Sequence, residues 1–312
     1  MGIYSSSIKP IFLISLPRSG STFLQKILMS HPDVASTGEP WFLLPLCHMS
    51  RKEGVFANYG HIQSVNALNR ISSGSTNGLV DHAIAGYAES IYTKFCTNNE
   101  RYFLDKTPRY YFILDDLIRV FPGAKFVVLL RNPVSVFASS IEAFRGNTMR
   151  RLDHLSCDFT SGPKLIGDFV ERHKDRVITL NYEALVTNTP EKVSDVCSYL
   201  GLNFSEKMIA QSFNVELEGH GDHLGAKAYK SVQANEGKWK KLITTSCRKQ
   251  RLIRYLKQCP EAYLAAGGYD RCKLIKSVEN HRVSSLNLLE YVAWLEEVLV
   301  RAYKSPMRGR NV

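Results

Sequence analysis

The 312-residue chain has no run of about 20 apolar residues, the length a membrane-spanning helix requires. The apolar segment Ile11 to Leu16 near its start is too short for the core of a secretion signal followed by a small-residue cleavage site. The seven cysteines (Cys47, Cys96, Cys157, Cys197, Cys247, Cys259 and Cys272) contain no C-x-x-C pair, and their number is odd. That argues against a disulfide framework and against a zinc ribbon, and reduced, mostly buried thiols are expected. No cluster of His, Cys and carboxylates has metal-ligand spacing, so no metal is expected. Internal repeats and low-complexity tracts are absent. These absences leave a soluble protein, expected in the cytoplasm, of a length that one α/β domain with insertions can reach.

What is present is a basic excess, a formal net charge of +11 with 44% hydrophobic and 22% charged residues. It points to an anionic ligand or partner without saying which. The basic residues are spread along the chain, with modest groups at Arg145 to Arg151 and Lys238 to Arg254. A nucleic-acid-binding module would gather them in a stripe with interleaved aromatics, so no nucleic-acid partner is expected.

Short apolar, β-branched runs predict strands at 11–15, 102–104, 125–130 and 176–180. Helices are predicted over Thr22 to Met29, Arg109 to Val120, Pro133 to about Phe144, and Pro190 to Leu200. Strands alternating with helices imply a parallel sheet, in which ligands bind at the carboxyl ends of the strands. Residues 47–78 and 214–238 are polar and aperiodic and read as insertions or lid loops within a domain over 1–275. Residues 276–312 read as a separate helical tail. There Leu288, Val292, Leu295, Leu299 and Ala302 form a short heptad seam that packs on its own domain or makes a homodimer contact.

Two constellations follow strands. Pro17-Arg18-Ser19-Gly20-Ser21-Thr22 combines a glycine, a helix start, three hydroxyls and a guanidinium, the ingredients of a phosphate cradle. The bland alternative is a polar turn with an N-cap serine. It is not the triphosphatase loop, because G-x-x-x-x-G-K-[ST] is missing, which argues against a kinase. Arg131 ends the strongest strand in Leu130-Arg131-Asn132-Pro133, with Ser139 and Ser140 on the helix that follows. Arg131 and Ser139 can grip one phosphate together, or Arg131 can simply pair with a surface carboxylate.

Together these motifs resemble the sulfotransferases that use 3′-phosphoadenosine 5′-phosphosulfate (PAPS), most specifically over Ile11 to Pro45 and Ala124 to Ile141. The resemblance implies an α/β fold in three layers, a P-loop-like central parallel sheet flanked by helices. It assigns the first loop to the 5′-phosphosulfate and Arg131 with Ser139 to the 3′-phosphate. Glu39, in Gly38-Glu39-Pro40, stands where the tyrosylprotein and carbohydrate branch places a catalytic glutamate base; otherwise it is a loop carboxylate in an ion pair or cap. Lys106, in Asp105-Lys106-Thr107-Pro108, resembles the lysine that contacts the transferring group; otherwise it is a surface lysine. Arg18, where many cytosolic members carry lysine, matches that same branch and could share the charge-stabilising role. Tyr182 matches a tyrosine near the nucleotide, or is a packed aromatic. Gly237-Lys238-Trp239 resembles the segment that closes over the nucleotide. His31 reads as a turn residue, and His220 and His223 as acceptor contacts or solvated side chains. The implied reaction is in-line sulfuryl transfer to a hydroxyl of a glycan, small metabolite or peptide tyrosine. A member that binds PAPS without turnover stays open. Acceptor specificity is expected in 41–100 and 142–165.

Overall fold

A computed structural model of the chain describes residues 8–71, 76–143, 155–217 and 237–283, with residues 292, 295 and 299. Five strands, β1 (Lys9–Ser15), β2 (Val34–Ser36), β3 (Tyr102–Asp105), β4 (Lys125–Leu130) and β5 (Val177–Asn181), form one sheet in the order β2-β3-β1-β4-β5. Every neighbouring pair is parallel. The helices in chain order are α1 (Ser21–Leu28), α2 (Leu43–His48), α3 (His61–Ile71), α4 (Thr76–Phe95), α5 (Leu114–Val120), α6 (Pro133–Ala143), α7 (Ser156–Phe159) and α8 (Ser161–Arg172). They continue with α9 (Tyr182–Thr187), α10 (Thr189–Leu200), α11 (Glu206–Ser212), α12 (Lys238–Leu242), α13 (Ser246–Gln258), α14 (Glu261–Ala266) and α15 (Arg271–Glu279).

Alternation along each strand divides the core into two clusters. Ile11, Leu13, Leu104, Val127, Leu129 and Leu180 face α1 and α10, meeting Phe23, Leu24, Ile27, Val193, Val196 and Leu200. Phe12, Ile14, Phe103, Phe126, Val128 and Leu130 face the other way, onto Leu117, Phe137, Ile166, Phe169, Leu252 and Leu264. Both faces are covered, which is why the strands read as continuous apolar runs. The three-layer α/β fold expected from the sequence is the fold observed.

Several local expectations change. β2 was not anticipated, because three residues (Val34-Ala35-Ser36) are too few to show a period. Residues 47–78 are not an aperiodic loop: α3 occupies His61–Ile71 and α4 starts at Thr76. Only His61 and Val65 of α3 are buried, too few apolar contacts to leave a clear stripe in a polar sequence. The helix expected from Arg109 starts as a tight 3₁₀ turn, Tyr110–Ile113, before α5. Of the second expected lid, residues 218–236, including His220 and His223, lie outside the described residues, as do Arg145 to Arg151. Lys238 already belongs to α12. Helix α15 crosses the boundary expected at 275, and its Val278 is fully buried in the larger cluster. In the tail, Val292, Leu295 and Leu299 are helical and exposed, whereas Leu288 and Ala302 lie outside the described residues.

Candidate active site

Each of the five strands delivers one sequence-nominated residue or loop just past its carboxyl end. In sheet order these are Glu39 after β2, Lys106 after β3, Arg18 to Thr22 after β1, Arg131 after β4 and Tyr182 after β5. One cleft is lined by Pro17, Arg18, Gly20, Ser21, Thr22, Glu39, Lys106, Pro108 and Arg131. A second concavity, sharing Arg131, is lined by Ser135, Ala138, Ser139, Glu142, Lys238, Trp239 and Leu242.

The loop between β1 and α1 is held in an uncommon backbone conformation. Arg18 has φ +68° and Gly20 φ +88°, both in the left-handed region. Ser19 N–H donates to Leu16 O at 3.3 Å and closes the turn. Arg18 Nε donates to Ser139 Oγ at 3.3 Å, and Arg131 Nη1 donates to Arg18 O at 2.7 Å. The Arg131 guanidinium lies 4.4 Å from the Tyr182 ring centroid, and that ring in turn packs against the bare Gly20 backbone. The two motifs that sequence reading kept apart are therefore one interlocked unit. Ser19 Oγ and Arg131 Nε are buried with no hydrogen-bond partner among the described residues. Native proteins rarely leave such donors orphaned, and an anion at a helix start would satisfy them.

At the other end of the cleft, Lys106 Nζ donates to Glu39 Oε1 at 2.8 Å, with side chains only 3% and 9% exposed. The turn that carries Glu39 is pinned from α1: Gln25 Nε2 donates to Ser36 Oγ at 2.9 Å and to Thr37 O at 2.8 Å. Ser36 Oγ in turn donates to Leu104 O at 2.7 Å, tying β2 to β3. Glu39 is thus an ion-paired carboxylate that also lines the cleft. Its neighbour Asp105 is fully buried and does not line it. Burial pushes the Asp105 carboxyl up to about 7, against three hydroxyl donors that favour its charged form.

The remaining nominees divide. Ser139 and Lys238 line the second concavity, where Lys238 Nζ donates to Glu142 Oε2 at 2.7 Å. Trp239 lines it too and packs edge-on against His281. Gly237 precedes α12 and lines neither concavity. Ser140 points its hydroxyl into its own helix, donating to Val136 O at 2.9 Å. His31 Nδ1 accepts from Asp33 N–H at 3.0 Å inside the turn before β2, a structural bond.

A protein-family model described as the sulfotransferase family matches residues 10–206, a span holding the loop, Glu39, Lys106, Arg131, Ser139 and Tyr182. The chain belongs to the sulfotransferase family. Nodulation protein NoeE of Sinorhizobium fredii (strain NBRC 101917 / NGR234) is 33% identical over 132 residues, covering 41% of this chain and 30% of that protein. Protein-tyrosine sulfotransferase 2 of Gallus gallus is 26% identical over 216 residues, covering 66% of this chain and 54% of that one. The chain therefore spans about half or less of the length of these two relatives. Among solved structures, the sulfotransferase domain of the Synechococcus PCC 7002 olefin synthase shares the fold, with a TM-score of 0.52 at 20% identity over 92% of this chain and 99% of that one.

Sequence reading missed two residues beside these concavities. Glu142 lies three positions after Ser139, one helical turn on, and that spacing was the available signal. Trp41 donates its indole N–H to Glu39 Oε2 at 3.1 Å. Nothing in its sequence context signals the positive φ of 60° that turns the ring back. No described helix is long and apolar enough to cross a membrane.

Proposed function

We propose that this sulfotransferase moves a sulfuryl group from PAPS to a hydroxyl on an acceptor, with Glu39 as the general base. The observation that supports it is the single row along the carboxyl edge of the sheet. A buried carboxylate–ammonium pair stands at one end, a loop carrying the orphaned Ser19 hydroxyl in the middle, and an arginine–serine–lysine group at the other.

The residues fit the donor. Ser19, Ser21, Thr22 and the amides that open α1 would hold the 5′-phosphosulfate. Arg131, Ser139 and Lys238 would hold the 3′-phosphate by charge-assisted bonds. When bound, PAPS supplies the sulfuryl group, whose sulfur bonds to the acceptor oxygen as its bond to the phosphate oxygen breaks. Glu39 takes the hydroxyl proton of the acceptor, which a base within hydrogen-bond reach does best. Lys106 and Arg18 are fixed cations beside the reacting atoms and stabilise the charge that grows there. Asp105, although burial raises its pKa, lies away from the cleft and is not the base. The acceptor class stays within glycans, small metabolites and peptide tyrosines.

Calorimetric titration with 3′-phosphoadenosine 5′-phosphate, 5′-AMP and magnesium-ATP tests the reading. The bisphosphate should bind about 10- to 100-fold more tightly than 5′-AMP, the scale of one to two charge-assisted contacts. Equal binding, or a magnesium-dependent preference for ATP, would overturn it. Arg131→Ala should cost the bisphosphate at least a similar factor and should weaken 5′-AMP as well, because Arg131 also holds the Arg18 carbonyl of the loop, checked in the same titration.

A further inference from the structure

Asp105 is a fully buried carboxylate with no part in the proposed chemistry, yet it lies one residue from Lys106. Three hydroxyls converge on it. Tyr92 from α4 and Tyr110 donate to Oδ2 at 2.8 and 3.1 Å, and Thr107 Oγ1 donates to Oδ1 at 3.2 Å. A threonine hydroxyl has one proton and two lone pairs. With the proton committed to Asp105, the lone pairs of Thr107 are oriented for a donor, and Trp41 N–H supplies it at 3.3 Å.

Trp41 has φ +60°, a conformation in which a bulky L-residue is an outlier and which persists only where surroundings impose it. That backbone lets the indole reach back two residues, Nε1 donating to Glu39 Oε2 at 3.1 Å, while Lys106 takes Oε1 at 2.8 Å. Both oxygens of Glu39 are thus held by donors tied to the end of β3. Lys106 is tied by covalent chain and Trp41 through the Thr107 hydroxyl.

We infer that Thr107 is a positioning residue: its hydroxyl, oriented by Asp105, holds Trp41 in the left-handed region and so aims the Glu39 carboxylate at the acceptor. The inference rests on the reading of Glu39 as the base. Without the Thr107 bond, Trp41 relaxes to negative φ, its indole leaves Oε2, and the carboxylate turns about its contact to Lys106. A displacement of about 1 Å at a reacting group costs on the order of 100-fold in rate. The nucleotide contacts, which lie on the loop after β1 with the start of α1, on Arg131 after β4, and on α6 and α12, are not disturbed.

The test compares Thr107→Val, which keeps the shape without the hydroxyl, with Thr107→Ser, which restores the hydroxyl, on the full chain. Thr107→Ala, which cannot crowd Asp105, is the second substitution should the valine fail to fold, and it carries the same expectations. The first readout is nuclear magnetic resonance of the indole N–H groups. The chain has three tryptophans, and Trp41→Phe identifies the resonance that belongs to Trp41. It should shift in Glu39→Gln and in Thr107→Val, and return in Thr107→Ser. The second readout is turnover of labelled PAPS on 4-nitrophenol, a cellulose oligosaccharide and a tyrosine peptide, alongside calorimetry with the bisphosphate. Thr107→Val should lose at least about tenfold in kcat at unchanged bisphosphate affinity, Thr107→Ser should recover most of it, and the valine should add little on top of Glu39→Gln. A Trp41 resonance that moves in Glu39→Gln but not in Thr107→Val overturns the positioning role and leaves the base reading intact. One that moves in neither removes the indole from Glu39 and overturns the inference. Full activity in Glu39→Gln, with the resonance shifted, overturns the base reading itself and the inference with it.

Discussion

Glu39→Gln is expected to bind 3′-phosphoadenosine 5′-phosphate as tightly as the parent and to lose at least about 100-fold in turnover, the scale of a positioned general base. The amide keeps the volume of the carboxylate and an oxygen acceptor for Lys106 Nζ, which now lies 2.8 Å from Glu39 Oε1. What it cannot do is take a proton from a hydroxyl. The proposed nucleotide contacts come from the loop after β1, from Arg131 after β4 and from α6 and α12, so affinity should not follow turnover. Removing one charge of a buried pair costs stability, and here the partners are 3% and 9% exposed. A lowered melting temperature is therefore expected beside the kinetic loss, and circular dichroism at the assay temperature must show the folded state. Full turnover in a folded Glu39→Gln protein would move the base elsewhere.

Gly20→Ala is expected to weaken bisphosphate binding at least about 30-fold and to lower the melting temperature by several degrees. Two costs add. At φ +88° an L-residue pays roughly 1–2 kcal/mol that glycine does not. The new Cβ would also stand 2.2 Å from Tyr182 Cε2, an overlap that forces the ring to move at about 1–3 kcal/mol. The ring is not free to step aside, because the Arg131 guanidinium lies 4.4 Å from its centroid and Arg131 Nη1 holds Arg18 O at 2.7 Å. One methyl group therefore disturbs both phosphate motifs. Titration of the variant with the bisphosphate, with a thermal melt, checks this; unchanged affinity would remove the loop from the nucleotide site.

Much of the site was legible because it is local. A strand followed by Pro17 to Thr22 needs no tertiary information to be read as an anion cradle, and neither does an arginine two helical turns before Ser139. Glu39 and Lys106 were legible only one at a time. They are 67 positions apart, and the alternatives were a loop carboxylate in an ion pair or cap for Glu39 and a surface lysine for Lys106. Thr107, Trp41 and Asp105 could not be nominated at all. Their roles come from hydrogen bonds that converge from α4, β3 and the turn after β2, and from a backbone angle at Trp41 that no residue type announces.

The sequence by itself determined the strands β1, β3, β4 and β5, the helices α1, α5, α6 and α10, and which charged and hydroxyl residues follow the strands. Apolar runs, glycine and proline act within a few residues of themselves. Only the tertiary structure decided that β3 lies between β2 and β1, so that Lys106 meets Glu39, and that β4 and β5 bring Arg131 and Tyr182 onto the Gly20 loop. Strand order in a parallel sheet is fixed by which arrangement buries both faces under helices from distant parts of the chain, and no local pattern encodes that choice.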